Sequence, residues 1–473
     1  MKTILSTTGY KIPKSEINND ILKLIKNDLI INPYSFDMMG TNKDKDTSYK
    51  IYLESEKYYI VPRYWGIKFI GEPVINKISK GLTIDVNFNG KMRDYQQDIV
   101  KKYMNAIGTD SGGAIINLKT GGGKTILALY LISLLKLKTV ILIHKSFLLE
   151  QWIERILVFL PGVKITKVQG TKTDWSGDIV VVMIQTILNR VIPKEVTEDI
   201  GFCIADECHH LAAMQFSKSL IKINPRYHLG LSATVKRADN LQRIFEYYLG
   251  DICFKSAIDK KTNVEVRLIE YDCEDKAYCK NEVLFNGKIC RPRIINNICA
   301  WKPRTNVILD IIYKCYEMDR KTLILSDRRE HCLEIVRIVN EKYGEVIAGA
   351  YLGGMSIYDL EDSNKKMVIA GTYQACSEGY DNVALSCLIM STPIGNIEQS
   401  IGRILRQENE HHPLIYSIVD INISCLKKQI ENHKKLYKKR EYEVYMNYDS
   451  EKLDLSKKKE KVVPLYKQQC MFD

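Results

Sequence analysis

Residues 114–135 narrow the folds open to this chain more than any other stretch. The short apolar run at 114–118 has the length of a buried strand, and the apolar run at 126–135 is long enough to read as a helix. Between them stands Lys119-Thr120-Gly121-Gly122-Gly123-Lys124-Thr125. Successive glycines let backbone N–H groups turn inward around an anion, and the following helix adds the positive end of its dipole. Lys124 supplies a charge for phosphate oxygens, and the Thr125 hydroxyl is a ligand for Mg²⁺. Strand, glycine turn and helix in that order build a phosphate-binding loop on a parallel sheet. The strict pattern has glycine six places before the lysine, and Leu118 stands there instead.

Runs of the same kind recur at 139–143, 179–183, 202–205 and 228–231, separated by helical stretches. Continuous rather than alternating apolar runs mark strands covered on both faces, so these predict a parallel α/β sheet. After a polar stretch at 251–263, a second series at 322–325, 367–371, 387–391 and 414–419 predicts another sheet of that class. Ahead of both, 48–53, 58–61 and 67–70 read as strands of a smaller α+β domain, punctuated by Pro62 and Gly66. The expected organisation is an accessory domain over 1–90, α/β domains over 91–260 and 261–425, and a basic extension over 426–473.

The run at 202–205 ends in Asp206-Glu207-Cys208-His209. A carboxylate there is placed to hold Mg²⁺, and its neighbour to orient and polarise an attacking water. With the phosphate loop, this sequence resembles the DExH branch of the superfamily 2 helicases and translocases, which accept residues other than glycine at the Leu118 position. The resemblance runs in order through most of residues 91–420. Arg93-Asp94-Tyr95-Gln96 is similar to the adenine-reading segment, with Gln96 the implied base contact. Ser232-Ala233-Thr234 resembles the motif that couples hydrolysis to nucleic-acid grip, and Ser377-Glu378-Gly379-Tyr380-Asp381 resembles the motif that bridges nucleotide and nucleic acid. His209, Ser232, Thr234, Gly379 and Asp381 are the implied coupling residues. Gln399-Ser400-Ile401-Gly402-Arg403-Ile404-Leu405-Arg406 looks like the closing Gln-x-x-Gly-Arg-x-x-Arg, whose spacing puts Gln399, Arg403 and Arg406 on one helical face.

The resemblance implies two tandem RecA-like domains, ATP and Mg²⁺ as cofactors, and ATP hydrolysis coupled to movement on nucleic acid. Lys124, Asp206, Glu207, Gln399, Arg403 and Arg406 are the implied catalytic set, with Thr125 and Asp206 on the metal. Gln96, Thr120, Gly121, Gly122, Gly123, Lys124 and Thr125 would bind ATP. Motif matching nominates Lys145, Gln185, Thr186 and Arg328 as facing the strand, where lysine and arginine would grip phosphates without reading sequence.

Residues 59–66, Tyr-Ile-Val-Pro-Arg-Tyr-Trp-Gly, and 144–152, His-Lys-Ser-Phe-Leu-Leu-Glu-Gln-Trp, are similar to segments of viral and phage members. The set resembles the poxvirus-type transcript-release helicases of large cytoplasmic DNA viruses, phage branch-migration helicases and XPB-type repair helicases. The last group has Arg-Glu-Asp after its Ser-Ala-Thr, and Arg237-Ala238-Asp239 departs from it. The viral resemblance implies a place in the host cytoplasm or the virion.

The net charge of +12 suits a polyanionic partner, and 45% hydrophobic residues exclude wholesale disorder. Residues 427–467 carry 13 Lys/Arg against seven Asp/Glu, half of the total excess. The thirteen cysteines lack the dense spacing of a disulfide scaffold, so reduced thiols in an intracellular compartment are expected. Cys273, Cys279, Cys290 and Cys299 lack the paired spacing of a zinc site. No apolar run approaches the roughly 20 residues of a membrane span, and residues 1–14 carry no secretory signal pattern. DNA is the first expected partner, with RNA and a polymerase or transcription complex beside it. Transcript release, branch migration and duplex unwinding remain open. A non-hydrolysing, ATP-gated clamp is the alternative of another class, and a pure clamp could dispense with Glu207 or Arg406.

Overall fold

Apolar runs covered on both faces pair best in parallel, with helices as crossovers. The computed structural model holds two sheets of this kind. It describes residues 1–31, 48–109, 111–118, 121–188, 190–209, 219–233, 242–256, 263–280, 282–287, 289–376, 380, 382, 384–395, 397–401, 411–453, 455 and 466–468. The chain divides into two units, Met1–Phe36 with Asp44–Ser256, and Asp37–Lys43 with Ala257–Asp473.

The first unit opens with β1 (Ile4–Ser6), β2 (Gly9–Pro13), helix α1 (Asn19–Leu29), β3 (Ile30–Ile31), β4 (Tyr49–Lys50), β5 (Leu53–Glu54), β6 (Tyr58–Val61), helix α2 (Arg63–Phe69) and β7 (Ile75–Asn76). Five of these strands form a sheet in the order β5-β6-β2-β1-β7. The expected strand at 48–53 is thus two short ones. The expected strand at 67–70 is not a strand, because it lies in and just after α2. Pro62 has φ −54° at the start of that helix, where its missing N–H costs nothing. Gly66 is not a breaker here: a Cβ at that position would come within 2.4 Å of the Tyr10 ring, so only glycine lets α2 lie on β2. The helix buries Trp65, whose indole donates to Asp28 Oδ2 at 3.0 Å, and Arg63, which donates to the Pro225 and Arg226 carbonyls.

The large sheet of this unit comprises β8 (Gly112–Asn117), β9 (Thr139–Ile143), β10 (Ile165–Gln169), β11 (Lys172–Thr173), β12 (Ile179–Met183), β13 (Phe202–Ala205), β14 (Tyr227–Ser232) and β15 (Ile252–Lys255). Its order is β11-β10-β12-β9-β13-β14-β8-β15, parallel except for β10 with β11. Side chains alternate between two cores, as the two-residue period of a strand requires. Val140, Leu142, Val180, Val182 and Ala205 join Leu5, Tyr10 and Trp65, so the small N-terminal sheet shares a core with the large one. Ile141, Ile143, Val181, Phe202 and Ile204 pack against α3 (Asp94–Ile107), α4 (Lys124–Leu135) and α5 (Ser146–Phe159).

The second unit contains β16 (Glu265–Cys273), β17 (Thr322–Ser326), β18 (Ala348–Tyr351), β19 (Val368–Thr372), β20 (Cys387–Met390), β21 (Leu414–Asp420), β22 (Glu443–Met446) and β23 (Tyr466–Gln468). They pair in parallel in the order β18-β19-β17-β20-β21-β16-β22, with β23 also on β16. The basic stretch after residue 426 begins on the helix Ser424–Arg440. Leu426, Ile430, His433 and Tyr437, at helical spacing, are buried, and Lys427, Lys435, Lys438 and Lys439 are exposed. Among the described residues no helix is long and apolar enough to cross a membrane.

Candidate nucleotide site and nucleic-acid interface

In a parallel sheet the loops after neighbouring strands gather at the carboxyl edge, where open α/β sheets bind ligands. β13, β14 and β8 are consecutive neighbours in the first unit, with Ala205 opposite Gly230 and Ser232 opposite Asn117. That register brings Lys124, the Asp206–Glu207 pair and Ser232 to one place, although the sequence spreads them over more than a hundred residues.

The loop between β8 and α4 bends through Gly121 (φ 77°) and Gly123 (φ 78°), left-handed conformations that a side chain resists. At Gly123 a Cβ would also meet Gln96 Nε2 at 2.4 Å. Gln96 is buried and fixed by a capping box at the start of α3, its Oε1 accepting from the Arg93 amide at 3.0 Å. It therefore lies against the loop. Tyr95, beside it, donates its hydroxyl to the Gly122 carbonyl at 3.0 Å. Lys124 opens α4 with Thr125 next to it.

The Lys124 ammonium meets Glu207 Oε1 at 2.6 Å, with side-chain exposures of 13% and 17%. Glu207 itself has φ 45°, a strained setting for a non-glycine residue and one common in active sites. Its second oxygen lies 3.4 Å from His209 Nδ1, and that nitrogen is 3.0 Å from Ser232 Oγ. A continuous polar path therefore runs from the phosphate-loop lysine to the serine ending β14. Asp206 accepts from Trp152 Nε1 on α5 at 2.9 Å and from the Glu207 amide at 2.9 Å.

The two carboxyls are driven apart. Burial, reinforced by the Glu207 charge, holds Asp206 above the ordinary aspartate range, and Lys124 and Trp152 offset only part of this. Burial also pushes Glu207 up, but Lys124, His209 and hydrogen bonds outweigh it, so Glu207 lies below the ordinary glutamate range. Adjacent carboxyls with opposite shifts are suited to different tasks. Asp206 is a buried carboxylate short of positive charge. Asp206, Glu207 and the Thr125 hydroxyl offer oxygen donors, the chemistry that a hard cation such as Mg²⁺ takes.

Lys145, Gln185 and Thr186 follow β9 and β12 on the same edge. The Gln185 amide donates to the His144 carbonyl at 2.8 Å, and the Thr186 hydroxyl accepts from the Gly170 amide at 3.1 Å. These bonds tie the loops together and occupy part of the groups assigned to the strand. In the second unit Arg328 follows β17, its guanidinium donating to Asn296 and to the Pro292 carbonyl. Gln399 lies on the helix Glu398–Ile401. Thr120, Thr234, Gly379, Asp381, Arg403 and Arg406 lie outside the described residues.

Tyr95 and Trp152 are the contributors that motif reading passed over. Each stands in a segment singled out for its neighbours, but a hydroxyl bond to a loop carbonyl and an indole bond to Asp206 are tertiary facts without a local signature.

Residues 89–237 match the family model of the type III restriction enzyme res subunit. L396 of Acanthamoeba polyphaga mimivirus, named as a proposed ATP-dependent RNA helicase, is 31% identical over 460 residues, covering 96% of this chain and 88% of that protein. The 161L protein of invertebrate iridescent virus 6, named as a proposed helicase, is 28% identical, covering 91% of this chain and 97% of its own. Among solved structures, S. cerevisiae Dbp5 bound to RNA and ADP BeF3 superposes with a TM-score of 0.52 at 11% identity, over 74% of this chain and 88% of that one. The last likeness is one of fold, two tandem RecA-like sheets. With nearly a third of its residues shared with L396 across almost the whole length of both, the chain belongs to the superfamily 2 helicases, in their DExH branch.

Proposed function

We propose that this protein is an ATP-dependent nucleic-acid helicase or translocase, in which hydrolysis at the carboxyl edge of the first sheet drives movement along a strand. The observation that carries the reading is the Lys124–Glu207 pair at 2.6 Å beside a loop whose Gly121 and Gly123 take the left-handed backbone that favours glycine. Gln96 would read the adenine, and the amides of 120–123 with Lys124 would hold the phosphates. Thr125 and Asp206 would hold Mg²⁺, which when bound supplies charge neutralisation at the phosphate oxygens. Asp206, reluctant to ionise while buried, would gain most from that charge. An arriving phosphate competes for Lys124, releasing Glu207 to orient the attacking water and take its proton. Gln399, Arg403 and Arg406 would stabilise the charge that develops at the transferred phosphoryl group.

The His209–Ser232 bond supports a coupling role, because a change at Glu207 reaches the end of β14 through one side chain. Thr234, Gly379 and Asp381 would extend that coupling, with residues 91–260 and 261–425 as the two moving domains. Lys145, Gln185, Thr186 and Arg328 would grip the strand backbone. DNA is the first substrate to try, in a role such as viral transcript release, and the RNA helicase name of L396 makes RNA the necessary second arm. The test is steady-state ATP hydrolysis without nucleic acid and with single-stranded DNA, duplex DNA and RNA. Stimulation by at least one of them, abolished in Lys124→Ala, is expected. Hydrolysis indifferent to all three would contradict the motor.

A further inference from the structure

Phe285 is fully exposed. It stands at the tip of a small hairpin in the second unit, closed by an antiparallel bridge between Val283 and Ile289 and by a bond from the Cys290 amide to the Glu282 carbonyl at 2.6 Å. The turn is tight: the Gly287 amide donates to the Leu284 carbonyl at 2.9 Å, and Gly287 takes φ 76°. Phe285 is therefore held out on a defined turn.

Both ends of the hairpin are rooted. On the entry side Tyr278 is buried and donates its hydroxyl to Asp420 Oδ1 at 2.5 Å, and Arg304 grips the same carboxylate with two nitrogens at 2.6 and 3.0 Å. On the exit side the helix Arg291–Ala300 begins, and Arg291 donates to the Pro393 carbonyl, just beyond β20, at 2.6 Å. Arg293 on that helix donates to the Val283 carbonyl at 3.5 Å. Arg328, just beyond β17, donates to the Pro292 carbonyl at 2.9 Å. The hairpin thus rises from the carboxyl edge of the second sheet, where ligand-binding loops gather, on a base that carries three arginines.

We infer that the hairpin closed by the Val283–Ile289 bridge is a strand-binding finger, on which Phe285 stacks an unpaired base of single-stranded nucleic acid while arginines at its root lie along the phosphates. The inference rests on the nucleic-acid reading above and adds a contact that the motif residues do not supply. A stacking ring needs a free face, and Phe285 offers one on a turn closed by two backbone bonds. An unpaired base offers a free face, whereas bases inside a duplex are already stacked. A protein partner would call for a packed apolar patch around the anchor. Here the ring's apolar company is Val283 and Ile289, each about half exposed, and the base carries Arg291, Arg293 and Arg328, with Glu282 neutralised by Lys280 at 3.0 Å.

The experiment measures equilibrium binding of a fluorescent single-stranded oligonucleotide and a blunt duplex to the full chain. The proteins are wild type, Phe285→Ala, Phe285→Leu, Phe285→Trp and the control Tyr358→Ala, which removes an exposed ring elsewhere in the same unit. Loss of one base–aromatic stack weakens binding by roughly 5- to 100-fold. Phe285→Ala and Phe285→Leu should both show that loss on the single strand, Phe285→Trp should bind like wild type with its fluorescence quenched by the base, and Tyr358→Ala should not differ from wild type. Duplex binding should be the same in all. Wild-type affinity in Phe285→Ala overturns the finger and leaves the helicase reading standing. Full retention in Phe285→Leu, or an equal loss on the duplex, overturns stacking. A wild-type chain that binds no single strand overturns both.

Discussion

The carboxyl edges of the two large sheets solve the same electrostatic problem in opposite ways. At the first, Asp206 and Glu207 share one lysine, His209 faces Glu207 alone, and burial leaves Asp206 short of compensating charge. At the second, Asp420 is buried with a guanidinium gripping both its oxygens, a tyrosine hydroxyl on one of them, and the spare Arg304 nitrogen on the Ser391 carbonyl at 2.8 Å. The second network is closed, and closure is what a structural ion pair requires. The first is open, and its charge deficit is what the proposed cation and phosphate would relieve. Two sheets of one class therefore differ less in fold than in whether their carboxylates are satisfied.

Subtracting one cation from each edge separates the roles. Lys124→Ala should lower nucleic-acid-stimulated turnover on the order of 10³-fold by removing charge from the proposed phosphoryl site. Its urea midpoint should fall less than that of Arg304→Met, because Glu207 keeps His209 and some exposure. Arg304→Met should do the reverse. Leaving Asp420 buried and unpaired costs about 3–5 kcal/mol, read as an early urea transition of the second unit. Adding Asp420→Leu should restore much of that loss. Comparable unfolding of both single variants would erase the distinction.

The smallest effect is the most specific. The Asp206 carboxyl is raised, so the folded chain holds its proton more tightly than the unfolded chain does. Its contribution to stability is full below the ordinary aspartate range and is lost as pH rises through the raised value. Asp206→Asn should therefore raise the thermal midpoint at neutral pH, at about 2–4 °C per kcal/mol, with the gain shrinking as pH falls. Glu207 has the opposite sign: lowered in the folded chain, its contribution is full above the ordinary glutamate range and fades as pH falls through the lowered value. A lower midpoint for Asp206→Asn at pH 7 would mean that Asp206 is not short of charge.

The contrast between the edges also marks where sequence reading reaches. Strands β9, β12 and β13 lie where their apolar runs lie, residue for residue, because the run is the buried strand. The glycine turn before Lys124 and the acidic pair after β13 were legible for the same reason, since a turn between a strand and a helix is a local object. The helix α2 was not, because Pro62 and Gly66 look like strand punctuation until the Tyr10 ring shows why position 66 must be bare. The closed network was invisible, because Arg304 and Asp420 stand 116 residues apart and meet only through the sheet. Phe285 gave no sign either, because its meaning lies in exposure on a rooted turn.

Glu207 is proposed to perform chemistry, not to hold the fold. The direct measurement is ATP binding and steady-state ATP hydrolysis on one preparation of Glu207→Gln, with the best nucleic-acid activator present. Binding within a few-fold of wild type is expected, with turnover lower by about 10²–10⁴, the share of a general base. Turnover within a few-fold of wild type would contradict it.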